Sequence, residues 1–237
     1  MSISLSYYFS HPDKFPFPGW FDGMERASEV LAKAKPFLQT LLVDPDVREN
    51  RGTMKGAPPH LYGNYYIGEG TTIYNNVTII GPVYIGENVT IMPGATIRPG
   101  TIISDHCSVG HGSEIKHSVL FGGAKVASLA FVGDSVLGKS ARVGSGVITA
   151  NRKFDQSNAT ITLDGRRHDL ETDFFGCIIG DNTRLGANSV TQPGTHIGPH
   201  CWIFPMTGIR GFIPREKRVF AEQSVSMTEN EVIALKP

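Results

Sequence analysis

The sequence predicts a mainly β fold, a parallel β-helix of hexapeptide repeats with an N-terminal helical segment and an inserted β-hairpin loop. Two observations lead to this prediction. An isoleucine or valine returns at every sixth residue through nine positions, and a small or β-branched residue stands two positions before each of the last eight. A period of six fits neither an α-helix nor a simple amphipathic strand. The aliphatic positions are Ile67, Ile73, Ile79, Ile85, Ile91, Ile97, Ile103, Val109 and Ile115, and the small positions are Thr71, Val77, Val83, Val89, Ala95, Thr101, Cys107 and Ser113.

A six-residue unit can run a short strand, turn a corner and repeat, so that three units close one triangular coil of about eighteen residues. Every aliphatic residue then points inward, and neighbouring coils lie about 4.8 Å apart, as in other parallel sheets. We therefore expect Ile67 to stack on Ile85, and Ile85 on Ile103. The residue two positions before each aliphatic residue is small because a narrow prism has little room near its corners, where a bulky side chain would overpack the core.

The same lattice returns later in the chain, after an insertion loop that we expect over residues 151–176. This loop contains ATITLDGRRHDL, two short polar-apolar runs joined by Asp164-Gly165, a dipeptide that favours a tight hairpin turn. We predict that a β-hairpin projects from the helix there. The second set of core positions is Ile179, Leu185, Thr191, Ile197 and Ile203, preceded by Cys177, Thr183, Ser189, Thr195 and Cys201.

The segment before the β-helix carries a helical pattern. Residues 23–42, GMERASEVLAKAKPFLQTLL, have helical spacing of their apolar residues. Asp22 stands three residues before Glu25, which suggests an N-terminal cap, and Pro36 suggests a kink or a break.

The repeats divide the chain into three parts. We predict an N-terminal extension with its helix over residues 1–60, the β-helix over 61–212 and a C-terminal tail over 213–237. In the tail, Thr228 and Glu231 frame a capping-box-like start to a last short helical segment.

The composition excludes some functions. Lysine plus arginine equals aspartate plus glutamate at 22 each, so no basic surface indicates binding to nucleic acid or to an anionic membrane. The N-terminal residues show neither a signal peptide nor a membrane span, which predicts a cytoplasmic protein. Cys107, Cys177 and Cys201 are widely spaced without a CxxC pair, which fits reduced, buried thiols better than a disulfide framework.

Four segments carry a family resemblance, namely IRPGTIISDHCSVGHGSEIK, KVASLAFVGDSVLG, VGSGVITANRKFD and GCIIGDNTRLGANSVTQPGTHIGP. In this order they resemble the C-terminal acetyltransferase domain of bacterial and archaeal sugar-phosphate nucleotidylyltransferases, of the bifunctional glucosamine-1-phosphate acetyltransferase and N-acetylglucosamine-1-phosphate uridylyltransferase type. The resemblance covers residues 15–212 and is most specific over 97–155. It includes FPFPGWFDG, which resembles the connector of archaeal-type members.

This resemblance implies a left-handed β-helix, a homotrimer and a role in nucleotide-sugar metabolism. Sites between subunits would bring a hexosamine phosphate together with acetyl-CoA or another acyl-CoA. The family's nucleotidylyltransferase domain, with its glycine-rich nucleotide loop, has no counterpart in this sequence. We therefore expect no pyrophosphorylase activity of this chain, and a separate nucleotidylyltransferase chain is a candidate partner.

The resemblance also assigns the substrate side of the site. Arg98 in IRPG and Lys116 in SEIK would hold the sugar phosphate, and Asn151 in TAN would lie near the sugar. A guanidinium offers a fork of donors and an ammonium a movable point charge, which together suit a phosphate. The alternative is that Arg98 and Lys116 belong to a solvated outer face of the helix.

The six-residue rhythm is lost after Ile115, and the resemblance implies an irregular corner there that presents the catalytic residues. Where the family has a catalytic histidine and, three residues later, a tyrosine, this chain has Ser128 and Phe131. A serine hydroxyl has no useful basicity without a partner base, whereas an imidazole titrates near neutral pH. Ser128 could serve as a nucleophile only beside a base, and His117 is the nearest candidate.

Other departures fall on the same site. A family asparagine corresponds to Arg142, a lysine corresponds to Phe174, and the small residue beside the pantetheine arm corresponds to Phe204. With Ala187 and Arg210, Phe204 would form the acyl-CoA side. Arg210 begins the basic cluster RGFIPREKR, which could meet the phosphates of CoA or form a solvated tail.

Two functions therefore stay open. The first is an acyl-CoA-dependent acyltransferase that acts on an amino or hydroxyl sugar derivative with altered catalytic residues. The second is a non-catalytic subunit that binds a sugar phosphate or nucleotide sugar and has lost acetyltransferase activity.

One histidine pair has the spacing of a metal site. His106 and His111 are five residues apart, a spacing similar to that of the paired zinc histidines in γ-class carbonic anhydrases. A third histidine is missing between His60 and His106, where that family has it. We therefore expect two surface or interface histidines and no metal.

Overall fold

The computed structural model describes residues 4–10, 15–17, 19–43, 49–163 and 165–229. These residues form a left-handed parallel β-helix of about nine turns, as predicted. Its three sheets are the faces of a triangular prism, named faces 1, 2 and 3 in chain order. The chain turns from one face to the next at corners 1–2, 2–3 and 3–1.

All strands within a face run parallel, and each pairs with the strand one coil away. Face 1 consists of β1 (Thr53–Lys55), β4 (Thr72–Tyr74), β7 (Thr90–Ile91), β10 (Ser108–Val109), β13 (Lys125–Val126), β16 (Arg142–Val143), β21 (Arg184–Leu185), β24 (Trp202–Ile203) and β27 (Arg218–Val219). Face 2 consists of β2 (His60–Tyr62), β5 (Thr78–Ile80), β8 (Thr96–Ile97), β11 (Glu114–Lys116), β14 (Phe131–Gly133), β17 (Ile148–Thr149), β22 (Val190–Thr191) and β25 (Gly208–Ile209). Face 3 consists of β3 (Tyr65–Ile67), β6 (Val83–Ile85), β9 (Thr101–Ile103), β12 (Val119–Leu120), β15 (Val136–Leu137), β20 (Cys177–Ile179), β23 (Thr195–Ile197) and β26 (Phe212–Ile213).

The predicted stacking of aliphatic residues is confirmed. Ile67 pairs in register with Ile85, and Ile85 with Ile103, and all three side chains are fully buried. The small residues of both lattices are buried as well. The strands extend from Thr53 to Val219, so they begin before and end after the predicted limits of 61 and 212.

The loss of the six-residue rhythm after Ile115 has a different cause from the one expected. The β-helix continues without interruption, but the steps from Ile115 to Leu120 and from Val132 to Leu137 are five residues long. Both short steps turn corner 2–3. A missing residue shifts every later core position, so a count by sixes fails although the coils still stack.

The turn at Ser128 is regular. Ser128 and Leu129 form an ordinary two-residue turn at corner 1–2, with Leu129 at a φ of 58°. The expectation of an irregular corner at Ser128 is therefore wrong. The shortened corners are centred on His117 and Asp134, whose φ values are 44° and 47°. This left-handed conformation turns the chain sharply enough to omit one residue.

The predicted hairpin is confirmed within the insertion loop. Strands β18 (Thr160–Leu163) and β19 (Arg166–Asp169) pair antiparallel, with Leu163 opposite Arg166. Gly165 in the turn has a φ of 74°, and Asp164 lies outside the described residues. The insertion leaves face 2 after β17 and returns to face 3 at β20, so it also emerges at corner 2–3.

The N-terminal segment covers face 3. It contains α1 (Leu5–Tyr8) and α2 (Glu29–Leu41), and apolar residues of α2 such as Leu31 and Leu38 join one buried cluster with Ile102 and Val119 of face 3. Burial of this apolar side stabilises the helix, which is too short to be stable by itself in water.

The details of α2 correct the expected cap and exclude a break at Pro36. The helix begins at Glu29, so Asp22 and Glu25 do not cap it; instead, the Glu29 carboxylate accepts hydrogen bonds from the backbone N–H groups of Glu25 and Arg26 at 2.9 and 3.4 Å. Pro36 lies inside the helix, which continues to Leu41. Packing against face 3 outweighs the loss of the hydrogen bond that proline cannot donate.

The three cysteines are free and their side chains are buried, as predicted. Burial raises the pKa of Cys107 to about 12 and that of Cys177 to about 11, so these thiols stay protonated. Of the predicted C-terminal helix, Glu231 lies outside the described residues. Among the helices that the structure describes, none has the length and apolar character needed to cross a membrane.

Replacing Ile97 with alanine is expected to lower the free energy of unfolding by about 2 to 5 kcal/mol, because stacked coils cannot close the cavity that remains. Ile80→Ala, on the neighbouring strand of face 2 with 37% of its surface exposed, is the control and should cost much less. Urea unfolding of both variants measures the difference. Equal losses would show that the inward lattice does not carry the stability.

Candidate functional site

The structure groups the predicted substrate residues at corner 2–3. The backbone N–H of Arg98 donates to the carbonyl of Ile115, which aligns Arg98 with Lys116, and Lys116 pairs in register with Gly133. The two cations therefore occupy the same position in consecutive coils, one coil spacing apart. Asn151 lies beyond Gly133 at the same corner.

Gly133 leaves room for two neighbouring side chains. A Cβ atom at this glycine would lie 2.6 Å from the ring of Phe131 and 2.8 Å from Nδ2 of Asn151. The absence of a side chain thus lets Phe131 and Asn151 close over the strand beside Lys116. Phe131 has no hydroxyl, so it contributes only apolar surface here.

Asp134 is the centre of this site, and sequence reasoning did not identify it. Oδ2 of its carboxylate accepts hydrogen bonds from the ammonium of Lys116 at 2.9 Å and from the amide of Asn151 at 2.5 Å. Oδ1 accepts a hydrogen bond from Nδ1 of His117 at 2.8 Å. Only 3% of the Asp134 side chain is exposed. The one signal for this pair in the sequence is that the steps containing His117 and Asp134 are each five residues long, so the two residues turn the same corner in neighbouring coils.

The carboxylate of Asp134 is ionised. Burial alone would raise its pKa, but the hydrogen bonds from His117, Lys116 and Asn151 outweigh burial and hold the pKa below its usual value. An ionised carboxylate can only accept hydrogen bonds. Nδ1 of His117 therefore donates the hydrogen bond to Asp134, and Nε2 lies on the far side of the ring from this carboxylate.

Arg98 is held less firmly than Lys116. Its guanidinium contacts the Glu114 carboxylate at 2.6 Å, but 41% of the Arg98 side chain and 38% of the Glu114 side chain are exposed. Exposed ion pairs of this kind contribute little to stability. The guanidinium has five N–H donors, and several stay available for another anion.

A cleft opens between corner 2–3, α2 and the insertion loop. One cavity of about 380 Å³ is lined by Lys35, Arg98, Pro99, Lys116, His117, Asp134, Thr172 and Phe174. A second cavity of about 420 Å³ shares His117, Thr172 and Phe174 with the first and extends along the N-terminal end of α2. The two cavities adjoin at these three shared residues, and together we call them the cleft. The sequence did not suggest that α2 contributes a cation, Lys35, to the first cavity.

Phe174 has a definite contact in this cleft. Its ring centre lies 4.2 Å from Nζ of Lys116 and 4.8 Å from Cζ of Arg152. The ring face attracts both cations and limits where the Lys116 ammonium can move. The residue that stands where the family has a lysine thus holds one of the predicted phosphate ligands.

The structure separates Ser128 from this group. Ser128, Ala187 and Phe204 all lie at corner 1–2, at the other edge of face 2. The residue aligned with His117 in the next coil is Asp134, which lies six positions after Ser128 in the sequence. His117 and Ser128 of one chain therefore do not form a nucleophile and base pair.

The remaining predicted residues lie outside the cleft. Arg142 is exposed on face 1 in register with Lys125 and Arg184, and Arg210 follows β25 at corner 2–3. His106 lies at corner 3–1 and His111 at corner 1–2, so they do not converge. The described part of the chain contains no cluster of three or more histidine, cysteine or carboxylate side chains arranged to hold a metal.

Replacing Asp134 with asparagine is expected to lower the free energy of unfolding by about 1 to 3 kcal/mol at neutral pH, because Lys116 and His117 lose a charged partner. The folded pKa of Asp134 lies below the unfolded value of about 3.9, so its contribution is complete above that value and is lost as the pH falls through the folded pKa. The difference between wild type and variant should shrink below about pH 4.

Denaturant unfolding at neutral pH and at about pH 3 tests this expectation. Glu87→Gln, which changes an exposed carboxylate at corner 3–1, is the control. A difference between wild type and Asp134→Asn that stays constant over this range would contradict the ionised state of the carboxylate.

Family models match two parts of the chain. The model described as the GMPPB C-terminal domain matches residues 79–165, and the model described as the hexapeptide repeat of succinyl-transferase matches residues 176–203. Both matches fall on the stacked coils, and the first one covers Arg98, Lys116 and Asp134.

Curated proteins with similar sequences include bifunctional sugar-phosphate enzymes. The bifunctional protein GlmU of Methanocaldococcus jannaschii is 35% identical over 95 residues, which are 40% of this chain and 23% of that protein. The bifunctional sugar-1-phosphate nucleotidylyltransferase/acetyltransferase of Sulfurisphaera tokodaii is 35% identical over 97 residues, 41% of this chain and 24% of that protein. This chain thus spans about a quarter of the length of these two relatives.

A third relative is nearer in size. The uncharacterized acetyltransferase YaiX of Escherichia coli K12 is 35% identical over 152 residues, which are 64% of this chain and 66% of that protein. The stacked coils and the family matches show a hexapeptide-repeat β-helix protein, and these relatives show that it is similar to the C-terminal part of the GlmU-like bifunctional proteins and to an acetyltransferase of comparable length.

Proposed function

We propose that this chain transfers an acyl group from an acyl-CoA to an amino or hydroxyl group of a sugar phosphate, and that the cleft at corner 2–3 binds the phosphate. One observation carries the proposal. Arg98 and Lys116 from consecutive coils and Lys35 from α2 line the same cavity. Three cations converging on one cavity suit a phosphate better than a neutral ligand.

The charges in the cleft are partly balanced already. Glu114 pairs with Arg98, and Asp134 pairs with Lys116, whereas Lys35 has no ion pair with any residue that the structure describes. The group therefore keeps an excess positive charge. A phosphate bound between Arg98 and Lys35 would balance this charge without displacing Lys116 from Asp134.

The acyl donor is assigned to the other edge of face 2. Ala187 and Phe204 lie along corner 1–2, where 43% of the Phe204 surface is exposed. This apolar strip suits a pantetheine arm, and Arg210 would meet a CoA phosphate. Because Ala187 and Phe204 lie across face 2 from the phosphate cleft, the two halves of the site would meet between neighbouring subunits. Arg210 lies at corner 2–3, on the same edge as the phosphate cleft.

A homotrimer fits the exposed surface. The N-terminal segment covers face 3, whereas corner 1–2 exposes 66% of Leu129 and 57% of Met206, and face 2 exposes 45% of Ile148 and 39% of Val190. Exposed apolar residues arranged along one edge indicate a protein interface. A second copy on this surface would bring its corner 1–2 toward the phosphate cleft of the first. A separate nucleotidylyltransferase chain stays a candidate partner.

One observation favours the second candidate function, a binding subunit without catalysis. Ser128 and Phe131 provide no base where the family has histidine and tyrosine. Thiol release from acetyl-CoA in the presence of amino sugar phosphates separates the two functions, since a binding subunit would bind the sugar phosphate and release no thiol.

Arg98→Ala is expected to weaken binding of glucosamine 1-phosphate by roughly 1.5 to 3 kcal/mol, the range for a hydrogen bond to a charged group. Affinity should also fall as salt rises, because the contacts are charge-assisted. Isothermal titration calorimetry measures both effects. Lys125→Ala, which removes an exposed cation from face 1, is the matched control; an equal loss there would show that general charge, not the cleft, attracts the ligand.

Light scattering of the purified protein is expected to give about three times the 25.7 kDa mass of one chain. Ile148→Arg, which places a charge in the exposed apolar part of face 2, should dissociate the assembly. Ile80→Arg, on a strand of the same face four coils away, is the control. A wild-type monomer at micromolar concentration would remove the site between subunits.

A further inference from the structure

His117 and Asp134 combine a positive backbone φ with burial, which sets them apart from the other non-glycine residues that have a positive φ. Fourteen described non-glycine residues have a positive φ, and twelve of them are exposed turn residues. The two exceptions are Asp134, which is buried, and His117, which is half-buried. Strained backbone that is held in place by its surroundings is typical of functional sites.

The side chains of these two residues form an oriented dyad. Oδ1 of Asp134 accepts a hydrogen bond from Nδ1–H of His117 at 2.8 Å, while Oδ2 accepts hydrogen bonds from Lys116 and Asn151. The carboxylate therefore cannot turn away, and the imidazole is held in one tautomer. A Cβ atom at Gly100 would lie 2.7 Å from Cδ2 of His117, so the glycine makes room for the ring.

The free nitrogen of this dyad faces the cleft. Among the residues that the structure describes, no hydrogen-bond partner contacts Nε2 of His117, and 27% of the side chain is exposed. His117 lines both cavities of the cleft, beside the cations at Lys35, Arg98 and Lys116. A ligand phosphate between these cations would hold its neighbouring hydroxyl or amino group within the same cleft.

We propose that His117, oriented by Asp134, is the general base of this protein, and that the reaction centre lies at corner 2–3 and not at the corner of Ser128. This inference rests on the proposed acyl transfer. Nε2 takes the proton of the sugar hydroxyl or amine as its oxygen or nitrogen bonds to the thioester carbonyl carbon. The carbon–sulfur bond then breaks, and the imidazolium returns the proton to the leaving thiolate. The products are the acylated sugar phosphate and free CoA, and His117 is neutral again.

The Ser128 corner offers a weaker arrangement. The histidine of corner 1–2, one coil before Ser128, is His111, and its Nδ1 contacts the carbonyl of Pro93 at 2.7 Å in the coil below. No carboxylate within the described ranges pairs with His111. It is exposed and lies outside the cleft. These two histidines therefore give a matched comparison between the two corners.

The test measures thiol release from acetyl-CoA with a panel of amino and hydroxyl sugar phosphates, together with calorimetric binding of glucosamine 1-phosphate. His117→Gln is expected to lower the rate by roughly 10²- to 10⁴-fold, the usual contribution of a general base, while binding stays within about twofold of wild type. His111→Gln is expected to keep the wild-type rate. If His117→Gln keeps the rate and Ser128→Ala or His111→Gln loses it, the reaction centre is at corner 1–2 and the inference is wrong.

A wild-type protein that acylates no member of the panel would refute the proposed function, and the dyad is then tested by chemical labelling. Diethyl pyrocarbonate modifies unprotonated imidazole nitrogens, and mass spectrometry locates the product. His117 should be modified faster than His111, and Asp134→Asn should remove this advantage. Modification of His117 at or below the rate of the exposed His111 would show that Asp134 does not activate it.

Discussion

Each coil of this β-helix must place one aliphatic side chain from each face into a narrow triangular core, and this packing constraint governs the rest of the structure. Coils lie about 4.8 Å apart, so a residue added or lost within a strand would turn its inward side chain to solvent. Changes in length are therefore confined to corners. From Ile67 to Val219, every departure from the six-residue step falls at corner 2–3. Chemistry collects at this edge because the core tolerates irregularity only at corners.

The site at corner 2–3 combines three sources of order. The hydrogen-bonded ladder of face 2 fixes Arg98 and Lys116 one coil apart, the short steps bring His117 against Asp134, and the insertion supplies Phe174 as a wall. Helix α2 closes the opposite side with Lys35 because its apolar residues are buried on face 3. The cleft thus depends on the core lattice through its backbone and on the appended segments for its walls.

The sequence predicted the coils and the hairpin because each rests on local spacing or on a local turn signal. The family resemblance assigned Arg98, Lys116 and Asn151 to one substrate site, and the structure places all three at corner 2–3. The sequence could not predict the hydrogen bond between His117 and Asp134. The steps from Ile115 to Leu120 and from Val132 to Leu137 are each one residue short, so a constant spacing of six does not show which side chains of neighbouring coils are aligned. The sequence did not place Lys35 in the site, because the position of α2 depends on tertiary packing. It proposed His117 as a base for Ser128 because the two are close in sequence, although closeness in sequence does not show which corner a residue occupies.

The Asp134 cluster is more than this corner needs for folding. Buried ion pairs are often no more stabilising than apolar side chains of similar volume, because both charges lose their water. Two coils before Asp134, Arg98-Pro99-Gly100 turns the same corner with no buried carboxylate. The fold could therefore be made without desolvating Asp134 or straining its backbone. What the cluster adds is orientation, since three donors fix one carboxylate and that carboxylate directs the lone pair of His117 Nε2 into the cleft. A cost that stability does not require is most simply explained by the proton transfer that this orientation permits.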